Sequence, residues 1–116
     1  MPHVKGNDSA YIAALESGKV KMTSGEYLGW LDGLHVDDVV FVKVNSQHAE
    51  ETRHITEGQH KIVAASLSTL RFENAIGDFD RATGTLTHVE NKRMVLAKIW
   101  PSQKVYDIAP KSMKGK

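Results

Sequence analysis

The six histidines are the first residues to consider for chemistry in this chain of 116 residues. Neutral imidazole is a good ligand for zinc, copper or nickel. Four of them, His48, His54, His60 and His88, fall in the part of the sequence that favours strands and turns. Their spacing forms neither an HxH nor an HExxH pattern. The sequence therefore predicts no metal site, and it contains no motif that calls for a cofactor.

His88 has the most specific predicted environment. A turn centred on Asn91 and Lys92 pairs His88 with Val95 and places it on the same sheet face as Leu86. That face is apolar, and an imidazole there needs a hydrogen-bonding partner or loses its charge. The pattern favours a hydrogen-bonded core histidine, and the alternative is a general acid or base.

Bulky aromatic residues could shape a cavity or an interface, because each buries a large apolar area. Tyr27, Trp30 and Trp100 are the candidates, and core packing is the commoner use of such residues. Together with His88 they form the predicted set of ligand-binding residues: Tyr27, Trp30, His88 and Trp100.

Several chemistries find no support in the sequence. The absence of cysteine excludes disulfides, thiol nucleophiles and cysteine zinc sites. There is no GxSxG elbow, no GxGxxG and no P-loop. Asp78 and Asp80 fit a turn rather than a calcium loop, since the sixth position counted from Asp78 is Thr83 and not glycine.

The charge balance also narrows the choice of partners. A formal net charge of +1 provides no broad field for nucleic acid, and no stretch is apolar enough to span a membrane. We therefore expect a cytoplasmic protein that binds a small apolar ligand or a second copy of itself.

The elements that must position these residues are mostly strands. Val39–Val44 alternates β-branched residues with period two, and residues 61–67 are apolar on both faces, as in a strand covered on both sides. Residues 80–84 suit a turn that ends in a left-handed glycine. This turn lies within a predicted three-strand meander over about residues 71–100. Pro101 ends the last long strand, and residues 105–108 could add a short edge strand.

The first third of the chain carries helix signals. Asp8 or Ser9 could cap a helix over residues 10–15 that ends at Gly18. Thr23 and Glu26 form a capping box for a second helix, while the competing interpretation is a hairpin of residues 19–22 and 26–31.

These elements predict a mainly β fold, or α+β if the N-terminal helices form. We expect a single antiparallel sheet system, a curved meander closed into a sandwich or barrel, with one or two short N-terminal helices. Residues 1–116 form one small globular domain, and residues 1–7 and 109–116 are expected to be flexible ends.

One segment resembles a known module. Residues 53–63, RHITEGQHKIV, are similar to the strand-turn-strand of small β-sandwich domains in bacterial envelope lipoproteins and PEGA-type domains. The similarity covers about a tenth of the chain, and the lipoprotein cysteine is absent. It implies a binding or scaffolding module rather than an enzyme.

Three functions are compatible with these patterns. The leading hypothesis is a non-enzymatic module that binds a small ligand or a protein through an apolar pocket or a dimer face on the sheet. The first alternative is a small cavity-bearing enzyme that uses His88 as acid or base. The second is an assembly subunit, because a strand as apolar as Val39–Val44 could pair at its edge with a second copy.

Overall fold

Six antiparallel strands form a closed barrel in the computed structural model, which describes residues 9–110. Each strand pairs with the next along the chain, and the last strand pairs with the first. The predicted curved meander is confirmed, and the barrel replaces the sandwich alternative. The strands are β1 Val39–Val44, β2 Gly58–Ala65, β3 Thr69–Phe72, β4 Asp78–Asp80, β5 Thr85–Thr87 and β6 Val95–Trp100.

Three short α-helices accompany the barrel: α1 Ser9–Glu16, α2 Ser24–Asp32 and α3 Gln103–Ile108. Single 3-10 turns lie at Ser46–His48 and Glu73–Ala75.

Both predicted N-terminal helices are confirmed, and the hairpin interpretation of residues 19–31 is wrong. The Thr23 hydroxyl accepts a hydrogen bond from the Glu26 amide at 3.2 Å and caps α2. Gly18 adopts φ +80° just after α1, as a helix-terminating glycine does. The alternative cap Asp8 lies outside the described residues.

β1 has the predicted bounds and the predicted alternation. Val40 and Val42 are buried, and Val39 on the other face is partly exposed. The strand is hydrogen-bonded to β2 on one side and to β6 on the other. The idea that this strand is an edge that pairs with a second copy is therefore wrong, because barrel closure removes the edge.

β2 differs from its prediction. It starts at Gly58 and ends at Ala65, and only its inward face is covered. Ile62 is buried, while Val63 is 47% exposed and Leu67, beyond the strand, is fully exposed. The strand lies in a single-layer barrel wall, where alternate side chains point inward and outward, so an apolar residue on both faces does not imply cover on both sides.

The hairpin between β4 and β5 forms as predicted. Amides of Thr83 and Gly84 donate to the Asp80 carbonyl, and the Asp80 carboxylate accepts from the Ala82 amide at 2.8 Å. Gly84 has φ +72°. Asp80 and Thr85 are the directly paired residues beside this turn.

The register between β5 and β6 is only partly as predicted. Leu86 pairs with Ala97, but a bulge between Leu86 and Thr87 then places Thr87 opposite Val95. The inserted residue shifts every following position by one, so the predicted pairing of His88 with Val95 is wrong.

The predicted edge strand at residues 105–108 is also wrong, because this segment belongs to α3. The Ser102 hydroxyl accepts from the Val105 amide at 3.2 Å and caps the helix directly after Pro101. β6 ends at Trp100, as the proline predicts.

The core has an inner and an outer part. Leu70, Phe72 and Phe79 belong to the part inside the barrel and are almost fully buried. On the outer face of the wall, Trp100 contacts Tyr27 of α2, with ring centroids 5.3 Å apart. The helices therefore cover one outer sector of the barrel.

Of the two predicted flexible ends, 1–7 and 109–116, the structure describes only residues 109 and 110. Ala109 is buried in the same apolar cluster as Leu15 and Val105, so the ordered core includes the first residue of the predicted C-terminal end. Residues 1–8 and 111–116 lie outside the described part of the chain. Within residues 9–110, no helix has the length and apolar character needed to cross a membrane.

Candidate functional site

A cleft lies on the described surface between the end of α1 and α3. It has a volume of about 420 Å³ and is lined by side chains from residues 15–22 and 105–110. We call it the α1–α3 cleft. Its apolar lining consists of Leu15, Val20, Met22, Val105, Ile108 and Ala109.

Two segments that are far apart in sequence build this cleft. Leu15 and Val105 are each 1% exposed and belong to both the core and the cleft lining. Gly18, in the left-handed conformation, turns the chain after α1 so that Val20 and Met22 return along the same side. The floor of the cleft is thus continuous with the hydrophobic core, which makes its shape stable.

The lining carries few polar groups. Glu16 and Lys21 are its charged members, and Ser17 donates its hydroxyl hydrogen to the Ala14 carbonyl at 2.9 Å. The described residues contain no group of three or more His, Cys, Asp or Glu side chains that could hold a metal ion. Such a surface can bind an apolar molecule and orient a polar end.

The structure brings three of the four predicted site residues together, away from this cleft. The ring centroids of Tyr27 and Trp30 are 5.6 Å apart, and Tyr27 also contacts Trp100. All three side chains are at least 97% buried. They form the layer between α2 and the barrel, and their assignment to ligand binding stays a prediction.

Lys98 is placed beside these aromatic rings on the outer face of β6. Its ammonium group lies 4.8 Å from the Tyr27 ring centroid and 4.9 Å from that of Trp100. Partial burial lowers the pKa of Lys98 from its ordinary value, because desolvation disfavours the charged form. The aromatic faces compensate part of this desolvation.

Tyr27 links α2 to the barrel through its hydroxyl group. The hydroxyl donates to the Ile99 carbonyl at 2.6 Å in a buried position. Burial raises the pKa of Tyr27 well above its ordinary value of 10.0, and burial together with Glu26 raises the pKa of Tyr11 to about 12. Folding therefore depends on the protonated form of Tyr27.

Tyr27→Phe is expected to lower the free energy of unfolding at neutral pH by about 1–3 kcal/mol, because the buried Ile99 carbonyl loses its donor. A group whose pKa is raised on folding stabilises the fold below its unfolded value and loses that contribution as pH rises through the folded value. Urea denaturation from about pH 8 to about pH 11, a range that brackets the pKa of free tyrosine, should show the gap between wild type and variant closing at alkaline pH. A gap that stays constant would contradict this role of the hydroxyl.

His88 does not lie in an apolar layer. Its Nδ1 accepts hydrogen bonds from the amides of Glu90 and Asn91, at 3.1 and 3.2 Å, and the ring is only partly buried. The bulge after Leu86 carries it beyond the ladder and into the turn. The predicted inward orientation is wrong, and the side chain caps the β5–β6 connection instead.

The buried histidine is His60, not His88. It is 4% exposed, and it lies opposite Val40 in the β1–β2 ladder. Its Nε2 is 2.6 Å from the Thr56 carbonyl, which can only accept, so Nε2 carries the proton. Nδ1 is buried and has no hydrogen-bonding partner within the described structure. Strict alternation along Gly58–Ala65 is the signal that would have placed His60 on the same face as Ile62.

The chain matches no protein family, no curated protein and no solved structure. The similarity of residues 53–63 to envelope lipoprotein and PEGA-type modules therefore gains no support, and the closed barrel differs from the sandwich that the similarity implies.

Proposed function

We propose that this protein is a non-enzymatic binding module that takes a small apolar ligand in the α1–α3 cleft. The observation that carries the proposal is the apolar lining of a cleft of about 420 Å³ whose floor is made of core residues. Small-molecule sites are typically concave, mostly apolar and about 300–1,000 Å³ in volume.

The charged lining residues suggest how such a ligand is oriented. Glu16 and Lys21 carry opposite charges and both border an otherwise apolar surface. Burial of the apolar part of a ligand against Val20 and Ile108 supplies the free energy of binding, at roughly 25 cal/mol per Å². The charged groups then fix the position of its polar end.

A thermal-shift screen across metals, nucleotides, lipids and apolar small molecules tests this function. We expect stabilisation by the lipid or apolar class, since ligand binding to the native state raises stability by mass action. Ile108→Asp should abolish this shift, because it places a charge in the wall of the cleft. Ile108 is 53% exposed, so we expect the substitution to leave the fold intact. Val63→Asp, at a similarly exposed apolar position outside the cleft, is the matched control.

Two results would count against the cleft as a binding site. One is the absence of stabilisation by any apolar compound. The other is a shift that Ile108→Asp and Val63→Asp reduce equally, which would indicate nonspecific adsorption.

The two alternative functions inferred from the sequence, an enzyme and a homodimer, are affected differently by the structure. An enzyme using His88 has lost its main argument, since Nδ1 accepts from two backbone amides in a turn. A homodimer stays a prediction, without the edge-pairing route through β1. We keep the cytoplasm as the proposed compartment, which fractionation of cells expressing the full chain would test.

A further inference from the structure

The buried ring of His60 uses only one of its two nitrogens. Nε2 donates its proton to the Thr56 carbonyl at 2.6 Å, while the buried Nδ1 has no hydrogen-bonding partner among residues 9–110. The closed structure therefore holds a neutral imidazole with its proton on Nε2. No step of the proposed ligand binding uses this group.

The surroundings of the ring are apolar. His60 shares the inner face of β2 with Ile62 and lies opposite Val40 of β1. On the other side of β2, the inward residues of β3 are Leu70 and Phe72, both buried. A proton on Nδ1 would add a positive charge and an N–H group without an acceptor to this layer, and both are costly in an apolar environment.

The charged residues of the neighbouring elements do not compensate such a charge. Two of the carboxylates are paired elsewhere, Asp38 with His35 at 3.2 Å and Glu57 with Lys43 at 3.3 Å. The remaining acidic residues there, Glu50, Glu51 and Glu73, are exposed. The basic and histidine side chains of the same elements are Lys43, His48, Arg53, His54, Lys61 and Arg71. Within the described residues, none of these groups forms an ion pair or a hydrogen bond with His60.

The carbonyl that binds Nε2 belongs to the long connection between β1 and β2. We call its last part, residues 52–57, the β1–β2 segment. Thr52 and Ile55 of this segment are buried, and Ile55 belongs to the hydrophobic core. The Ile55 amide donates to the Thr52 carbonyl at 2.9 Å, and the Thr52 amide donates to the His48 carbonyl at 3.1 Å. The bond from His60 to Thr56 joins the β1–β2 segment to the barrel wall.

We propose that His60 is a proton-sensitive contact that releases the β1–β2 segment under mildly acidic conditions. Nδ1 takes up a proton only after the ring leaves its buried position, which breaks the bond to Thr56 and exposes Ile55. The proton therefore binds the open form in preference to the closed form and shifts the population toward it. This behaviour does not depend on a ligand in the α1–α3 cleft.

The size of the effect follows from the titration of free histidine. A free imidazole takes up its proton at about pH 6.5, so a change from about pH 7.5 to about pH 5.5 should raise the open population about tenfold. Free Asp and Glu side chains titrate at about pH 4, below this range.

Hydrogen exchange of the full-length protein, followed by NMR at both pH values, tests the proposal. After correction for the intrinsic pH dependence of exchange, the amides of Thr52 and Ile55 should open about tenfold more often at the lower pH. The amides of β1 should keep their protection, because the barrel itself stays closed.

Two substitutions assign the effect to one ring. His60→Gln keeps an amide nitrogen that can donate to Thr56 but takes up no proton, so the pH response of Thr52 and Ile55 should disappear. His54→Gln is the matched control, since His54 is an exposed histidine of the same segment whose Nε2 lies 3.2 Å from the Ile76 carbonyl. This variant should keep the tenfold response.

The imidazole signals of the wild-type protein provide a measurement that needs no variant. We expect His60 in the closed form to show the neutral ring with its proton on Nε2 at both pH values. An imidazolium at His60 while Thr52 and Ile55 remain protected would overturn the proposal, since it would require an acceptor at Nδ1. Equal pH responses of wild type and His60→Gln would also overturn it.

Discussion

Gly84→Ala is expected to lower the free energy of unfolding by about 2–5 kcal/mol, the sum of backbone strain and overpacking. Gly84 has φ +72°, a conformation that costs about 1–2 kcal/mol for a residue with a Cβ atom. A Cβ atom there would also overlap the Tyr27 hydroxyl oxygen and lie 3.1 Å from Leu31 Cδ2. Tyr27 is buried and hydrogen-bonded to the Ile99 carbonyl, so it has little freedom to move.

Gly18→Ala is the matched control for this prediction. Gly18 has a nearly equal φ of +80°, and a Cβ atom added to it would meet no atom of the described residues beyond its chain neighbours within 4 Å. Gly18→Ala should therefore lower the free energy of unfolding only by the strain contribution, about 1 kcal/mol. Equal losses at the two glycines in urea denaturation would contradict the steric part of the argument.

The double variant Tyr27→Phe/Gly84→Ala separates the two causes further. Removing the hydroxyl takes away the atom nearest to the added methyl group, so the double variant should lose less than the sum of the two single losses. Strict additivity would show that the hydroxyl and Gly84 do not contact each other in solution.

The sequence predicts the elements of this fold well where the pattern is local. The β-branched alternation of Val39–Val44, the Thr23 cap of α2 and the Gly84 turn all depend on neighbouring residues, and all three are confirmed. Ser102 is an equally local cap signal before α3. The apolar residues Val105 and Ile108 are compatible with either a helix or a short strand, and the cap decides for the helix.

The failures concern relations between strands and between distant segments. The bulge after Leu86 shifts the register by one residue without any change in the alternation, so the orientation of His88 could not be predicted. The α1–α3 cleft joins residues 15–22 to residues 105–110, and nothing in either segment alone indicates that they meet.

Arg81 is a further case in which the sequence shows a turn residue and the structure shows a tether. Its side chain donates to four backbone carbonyls: Leu31 at 3.2 Å, Asp32 at 3.0 Å, Ser66 at 2.8 Å, and Leu34. Three of these carbonyls belong to the end of α2 and the residues just after it, where helix carbonyls lack intrahelical partners and the helix dipole favours a cation. Arg81 thus joins α2 to the two hairpin turns.

Arg81→Ala is expected to lower the free energy of unfolding by about 3 kcal/mol, since partly buried carbonyls lose charge-assisted donors and water replaces only some of them. Arg81→Lys should recover part of this loss, because a single ammonium group cannot reach four acceptors that are spread around a planar guanidinium. Urea denaturation measures both, and hydrogen exchange of residues 31–34 should accelerate in each variant relative to β1.

Arg71→Ala provides the comparison that separates a tether from an ordinary surface arginine. Arg71 is exposed and pairs with Asp78 at 3.0 Å across the β3–β4 ladder. Exposed ion pairs contribute little, so this variant should unfold at nearly the same urea concentration as wild type. If Arg71→Ala and Arg81→Ala lower the free energy of unfolding equally, the four carbonyl contacts of Arg81 are not what anchors α2.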